Sequence, residues 1–354
     1  SSDVCSSDLR NTLDYNQSGA DKEGGIDMIF KSIYATHIKN FIKFKRNLGF
    51  TLRDVEYVFI QFDRLALQRG EKMVGVTKGL SDEWCAKRPN ESDGTRYDRV
   101  SKLSLFARYL RDMGYDSYIP EIPRFKTSFI PYIFTKEEIG VVLAASSEYK
   151  PHKIMPDSPS LMIPTLLKVL YGTGLRIGEA IGLLDKDVNT DERYIIVRQS
   201  KNGTERIVPL SESVSDACVQ YRILKKDKIK SKIECKLFFV KNNNTHCSQG
   251  AAYKSFRDAL RLAGIPHGGK GCGPRLHDLR HTFACHSLAQ MVESGMDLYQ
   301  AMPLLSTYLG HRTIESTEKY VRLTAEVYPN LLKGIENMCE FVFPRLKTDD
   351  YETD

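Results

Sequence analysis

Leu276-His277-Asp278-Leu279-Arg280-His281-Thr282-Phe283 opens, and Leu309-Gly310-His311-Arg312-Thr313-Ile314-Glu315-Ser316-Thr317-Glu318-Lys319-Tyr320 closes, the stretch of this chain that decides its fold and chemistry. His277 and Arg280 stand three residues apart, so on a helix they share a face and reach one ligand. Leu309-Gly310 ends an apolar helix, because glycine is the preferred residue just past a helix C-terminus. Thr313 and Ser316 suit the start of the next helix, and Tyr320 falls about two turns into it. Two imidazoles, a guanidinium and a phenol in so short a span are the groups that a metal-free phosphodiester transesterification needs.

Working outward, Tyr171-Gly172-Thr173-Gly174-Leu175-Arg176-Ile177-Gly178-Glu179 reads as a helix end, a tight glycine turn and a new helix opened by Arg176. Glu179 at i+3 is placed to orient Arg176, although a lone Arg–Glu pair is by itself only a surface ion pair of little energy. Tyr194 to Val197 and Arg206 to Val208 are β-type runs joined by Ser200-Lys201-Asn202-Gly203-Thr204, and Asn-Gly between such runs signals a hairpin. Lys201 therefore sits at a hairpin tip, where a lysine is ordinarily just solvated.

Taken together, Thr-Gly-Leu-Arg-x-x-Glu, Lys-x-x-x-x-Arg-x-Val-Pro-Leu, His-x-x-Arg and Leu-Gly-His nine residues before a tyrosine resemble the tyrosine recombinase (phage integrase) family. The resemblance covers about residues 29–343 and is strongest over 131–323. It implies a mainly α fold with a small antiparallel β-hairpin sheet, and a helical core-binding domain ahead of the catalytic domain. It also implies a catalytic set of Arg176, Lys201, His277, Arg280, His311 and Tyr320. Arginine forks bind phosphate oxygens bidentately and stay charged. That suits Arg176 and Arg280, with His311 a further donor. Tyr320 would be the nucleophile, forming a 3′-phosphotyrosyl link. His277 can accept a proton, and Lys201 would protonate the departing 5′-oxygen. The covalent link conserves the bond energy, so no cofactor, ATP or metal is implied. His281 and His286 match no position of the pattern and are assigned buried hydrogen-bonding or surface roles. The alternatives are a type IB topoisomerase, using the same chemistry on one strand, and a DNA-binding protein that no longer cleaves.

Charge agrees with a polyanionic partner. The net +6 conceals a −4 segment at residues 1–30 and a −3 segment at 347–354, leaving +13 between them. The resemblance names that partner as double-stranded DNA, with a homo-oligomer, expected to be a tetramer, assembling on it beside accessory directionality proteins. Eight scattered cysteines with no C-x-x-C pair fit reduced thiols. No apolar run approaches a membrane span. The expected location is therefore the cytoplasm of a prokaryote, on the nucleoid.

Five segments are expected. Residues 1–28 read as disordered and non-native, since Val4–Leu9 resembles a translated sequencing adaptor. Residues 29–118 form a helical DNA clamp, with Ile33, His37, Phe41 and Phe44 on one helix face and Lys39, Lys43, Lys45 and Arg46 as DNA contacts. Three prolines mark 119–134 as a linker. The catalytic domain spans 135–325, begun by a capping box at Thr135 and Glu138, and its lysine-dense 222–241 segment offers Lys241 as a further DNA contact. Residues 326–354 make a last helix to Phe343 and an acidic tail. That helix's stripe of Leu331, Ile335, Met338 and Val342 is expected to dock on a neighbouring protomer.

Overall fold

The computed structural model describes residues 30–50, 55–124, 130–148, 156–198, 205–229, 235–269, 273–311, 313 and 315–328. The chain divides into two compact units between Phe129 and Ile130.

In the first unit, α1 (Ala35–Asn47), α2 (Val55–Arg69), α3 (Lys78–Cys85) and α4 (Asp93–Asp112) surround an aromatic core. Tyr34, Phe41, Phe59, Phe62, Trp84 and Phe106 are buried there and meet largely edge to face, the geometry that ring quadrupoles favour. The buried Asp63 of α2 fixes the entry to α1 by accepting from the backbone N–H groups of Lys31 (2.8 Å) and Ser32 (3.0 Å). The face that α1 buries differs from the expected one. Tyr34, just before the helix, and Ile38, Phe41 and Ile42 on it are buried, whereas Phe44 is 47% exposed. Phe41 belongs to both stripes, and the rings of Phe59 and Phe106 select the one that faces them.

The second unit carries α5 (Lys136–Glu148), α6 (Ile163–Thr173), α7 (Ile177–Ile181), β1 (Val188–Asn189), β2 (Tyr194–Val197), β3 (Arg206–Pro209), α8 (Glu212–Lys228), α9 (Gln249–Leu262), α10 (Asp278–Glu293), α11 (Leu298–Leu309) and α12 (Glu315–Val327). The fold is mainly α with a small antiparallel sheet, in the order β1-β2-β3. Ile195 pairs with Val208 and Val197 with Arg206. The capping box forms: the Thr135 N–H donates to Glu138 Oε2 (2.9 Å) and the Glu138 N–H to Thr135 Oγ1 (3.1 Å). α10 is the central element. One side of it joins the core built from α5, α6, α8, α9 and the sheet. The other packs Ala284, Cys285 and Leu288 against Leu305 and Leu309 of α11 and Leu323 of α12. Phe134 N–H donates to Thr282 Oγ1 (3.1 Å), tying the start of the unit to α10.

Two helices of this unit end in tight glycine turns. Gly174 ends α6 at φ +61°, and Gly310 ends α11 at φ +67°, a left-handed conformation that costs other residues more than glycine. A β-carbon on Gly174 would lie 2.5 Å from Phe283 and 2.9 Å from Leu309, and one on Gly310 would lie 3.0 Å from the Arg206 guanidinium. Both corners are therefore closed by packing as well as by conformation. Among the described residues, no helix is long and apolar enough to cross a membrane.

Candidate active site

The two glycine corners and the start of α10 converge on Arg280. Its guanidinium is only 2% exposed and donates to the carbonyl of Gly174 (2.6 Å) and to that of Leu309 (2.7 Å). Those oxygens are carbonyls at helix ends, which helix geometry leaves without intrahelical partners. Arg280 thus joins the end of α6 to the end of α11.

Arg176 caps α7 and is bound through both its backbone and its side chain by one carboxylate. Its N–H donates to Glu179 Oε2 (3.0 Å) and its Nη1 to Glu179 Oε1 (2.8 Å). Glu179 is buried and also receives Arg206 of β3, Nη2 to Oε2 at 2.8 Å and Nη1 to Oε1 at 3.2 Å. Burial opposes ionisation of Glu179, but the hydrogen bonds and charges of Arg206 and then Arg176 hold its carboxyl down to about 2. Arg206 Nε donates to the carbonyl of Tyr308 (3.1 Å). One guanidinium thereby links the sheet to α7 and to the end of α11.

Tyr320 lies on α12, 1% exposed, with its hydroxyl 3.0 Å from Nδ1 of His281. Burial raises its phenol to about 12, against the opposing charge of Arg280. His311 stands with its ring nearly parallel to Tyr320, centroids 6.1 Å apart, and its Nδ1 is 2.8 Å from the hydroxyl of Thr317. His277 is the residue before α10, exposed at its outer edge, and meets His281 edge-on with centroids 4.8 Å apart. Lys319 places its ammonium 5.1 Å from the Tyr320 ring centre. Of the six expected catalytic residues, Arg176, His277, Arg280, His311 and Tyr320 come together here. Lys201 lies outside the described residues.

A model of the phage integrase family matches residues 133–326, more than half of the chain.

This chain belongs to the phage integrase family of tyrosine recombinases.

Similar proteins agree. The provisionally named integrase/recombinase y4rB of Sinorhizobium fredii is 28% identical over 317 residues, covering 87% of this chain and 99% of its own. The tyrosine recombinase XerD of Brucella suis is 29% identical over 234 residues, covering 64% of this chain and 71% of its own. In fold, the recombinase is similar to a lambda integrase dimer bound to a COC′ core site, with TM-score 0.57 and 16% identity over 80% of this chain and 94% of that one.

His281, Arg206 and Lys319 were given no catalytic role in the sequence reading. His281 and His286 are both buried and hydrogen-bonded, as expected, His286 Nδ1 lying 3.0 Å from the Tyr171 hydroxyl and His281 Nδ1 from that of Tyr320. Arg206 stood inside a quoted motif with no role. Lys319 directly precedes Tyr320, and burial, then Arg280 and Arg176, lower its pKa.

The expected DNA contacts fall into two groups. In the first unit, Lys43 is exposed, and Lys45 lies 5.8, 5.9 and 5.4 Å from the ring centres of Phe41, Phe44 and Phe50. Arg46 pairs with Glu56 at 2.6 Å, and Lys39 is half-buried. In the second unit, Lys241 is half-buried and paired with the exposed carboxylate of Asp157. The expected helix from Glu326 lies outside the described residues beyond Tyr328, and α12 itself runs on to Val327.

The recombinase's site is rich in cations and holds its imidazoles neutral. Burial first, then nearby positive charge, lowers His277 to about 4, His281 to about 3 and His311 to about 4. In an unfolded chain these rings titrate near 6.5. Between that value and about 4 the unfolded state binds more protons than the folded state, so stability falls as pH falls through this window. His277 is partly solvated and contributes least. We expect the melting temperature to drop by roughly 10 °C between pH 7 and pH 4.5, a few kcal/mol for a unit this size. A melting curve that stays in place across that range would mean that the imidazoles titrate normally.

Proposed function

We propose that this recombinase breaks and rejoins DNA at a specific site through the cluster around Tyr320. The observation that carries the assignment is that Tyr320's hydroxyl is buried under the influence of Arg280 and Arg176, with the Lys319 ammonium over its ring. A phosphodiester repels nucleophiles because its oxygens are anionic. Preorganised cations around the transferring phosphoryl group are the chief source of rate in such reactions. Arg280 and Arg176 bind the non-bridging oxygens, and His311 donates to them. Tyr320 attacks phosphorus to give a 3′-phosphotyrosyl link, and Lys201 protonates the 5′-oxygen as it leaves. No cofactor enters the cycle.

The partner is double-stranded DNA, bound by the second unit and clamped by the first, whose Lys39, Lys43, Lys45 and Arg46 are among the phosphate contacts. The working form is a tetramer on paired half-sites, assisted by directionality proteins. Residues from Glu326 onward dock on a neighbouring protomer. The setting is the prokaryotic cytoplasm, on the nucleoid.

Lys201 gives the direct test. A duplex selected by the protein from a random-sequence pool is remade with sulfur at the 5′-bridging position. A thiolate, with thiol pKa about 8.5, leaves without a proton. Lys201→Ala should cleave the ordinary duplex about 10²-fold more slowly or worse and the sulfur duplex near the native rate. Equal defects on both substrates would remove Lys201 from the acid role.

A further inference from the structure

We infer that His281 takes the phenolic proton of Tyr320 as the nucleophile attacks, an assignment that rests on Tyr320 being the nucleophile. His281 was expected to be a packing histidine, and His277 the proton acceptor. The geometry points to the residue one turn further along α10. Tyr320 Oη lies 3.0 Å from His281 Nδ1, and the two rings are 5.6 Å apart and tilted by 49°. Arg280 and Arg176, the cations that act on the phenol, can only donate, and the Cys285 sulfur is at best a weak acceptor. The phenolic hydrogen is therefore directed at Nδ1. His311 has its own Nδ1 beside the Thr317 hydroxyl, and His277 stands behind His281, edge-on to it.

The acceptor is fixed before DNA arrives. His281 is 5% exposed and adjoins Arg280, whose guanidinium is bonded to two carbonyls, and Thr282, whose hydroxyl is bonded to the Phe134 N–H. Neither the ring nor its helix has to be recruited. His277 faces it from just before α10, Arg280 from α10 itself, Lys319 and Tyr320 from α12, and His311 from the turn before α12. In the DNA-free protein these charges and burial oppose protonation of His281, and transfer from a phenol raised to about 12 is steeply uphill. A bound phosphodiester changes both sides. Its negative charge favours an imidazolium, and bond formation to phosphorus removes the basicity of the phenolic oxygen.

The step balances. The Oη–P bond forms as the P–O5′ bond breaks. The phenolic proton passes to His281 Nδ1, and the 5′-oxygen leaves as a hydroxyl with the proton assigned to Lys201. On rejoining, a 5′-hydroxyl attacks phosphorus and gives its proton back to Lys201. Tyr320 departs and recovers its own proton from His281, so the site ends as it began.

The test uses the full chain and the selected duplex, nicked so that the covalent adduct accumulates. His281→Asn keeps an acceptor close to the place of Nδ1 but cannot take a proton; His281→Gln is the second variant, should the first melt abnormally. Binding should be unchanged and adduct formation slowed about 10²-fold or more. The slowed rate should climb about tenfold per pH unit from pH 6 to 9, where the native rate is flat, because the phenol must then ionise unaided. Replacing Tyr320 by a fluorinated, more acidic tyrosine should recover rate in the variant. The sulfur duplex, which relieves Lys201→Ala, should leave the His281 defect in place. Native rates, or a slowed rate with no pH slope, would overturn the inference. Tyr320→Phe is run alongside: an adduct with that variant would instead overturn the assignment of the nucleophile.

Discussion

Tyr320→Phe is expected to bind the selected duplex as tightly as the native chain and to form no covalent adduct. The ring of Tyr320 is buried among Leu288, Leu305, Leu309 and Leu323, and phenylalanine preserves that packing. The change removes one oxygen and leaves His281 Nδ1 without its present partner, which costs about 1–3 kcal/mol. The melting temperature should fall by several degrees, and the protein stays folded at assay temperature. The missing oxygen is the atom that would bond to phosphorus, and phenylalanine offers no substitute for it. Adduct formation should drop below detection, by more than about 10⁴-fold. The measurement is denaturing electrophoresis of the nicked duplex beside a gel-shift titration. A band of covalent complex from the phenylalanine protein would mean that Tyr320 is a core residue and that the nucleophile lies elsewhere.

Glu179→Gln should produce the largest effect of any charge change in the second unit. Its carboxylate is the shared counter-ion of Arg176 and Arg206. The amide keeps the shape and removes the charge. The two guanidiniums are then left close together beside a third, Arg280. Removing one partner of a buried ion pair costs about 3–5 kcal/mol, which is of order 10 °C in melting temperature for a unit of this size. Arg176 also loses the group that fixes its fork, so adduct formation at a temperature where the variant is folded should fall about 10²-fold. The native chain should also lose stability in acid through this group. A carboxyl held at about 2 in the fold contributes its full stability above its unfolded value near 4.5, and that contribution is lost as pH falls from 4.5 to 2. The variant should lack this acid-dependent component. Native melting and native cleavage together would show that the two arginines are held in place without Glu179.

The parts of this molecule that were legible in the sequence are those whose partners are near in sequence. Thr135 and Glu138 cap each other across a single turn, so two letters at the right spacing sufficed. Gly310, the hairpin flanks and the Arg176–Glu179 pair are equally local. α3 was not legible, because a short, Ser- and Asp-containing segment carries little helical signal of its own, and its buried Trp84 and Leu80 are rewarded only by packing on α2 and α4. β1 is two residues long, and β2 defines it. On α1, two stripes shared Phe41, and no local rule could say which would meet Phe59 and Phe106.

The same division runs through the site. Residue types at family spacings pointed to Arg176, His277, Arg280, His311 and Tyr320, and the fold gathers all five. The hydrogen bonds of Arg206 and His281 join them to partners 27 and 39 residues away, and a histidine that hydrogen-bonds the Tyr320 hydroxyl carries the same letter as one that fills a core. The ion pair of Lys241 was illegible for the converse reason. A lysine-dense run suggested phosphate contact, but Asp157 lies far back in the chain and returns beside it only in three dimensions.

The anchoring of Arg280 bears on how such an enzyme can be lost over generations. Its two acceptors are main-chain oxygens at Gly174 and Leu309, and no codon change deletes a carbonyl. A lineage released from selection can discard the phenol of Tyr320 by a single nucleotide change, yet the socket for the guanidinium persists as long as the two chain reversals do. Chemistry and architecture therefore decay on separate clocks. A descendant that has lost the phenol keeps, for a time, the same buried cation in the same place.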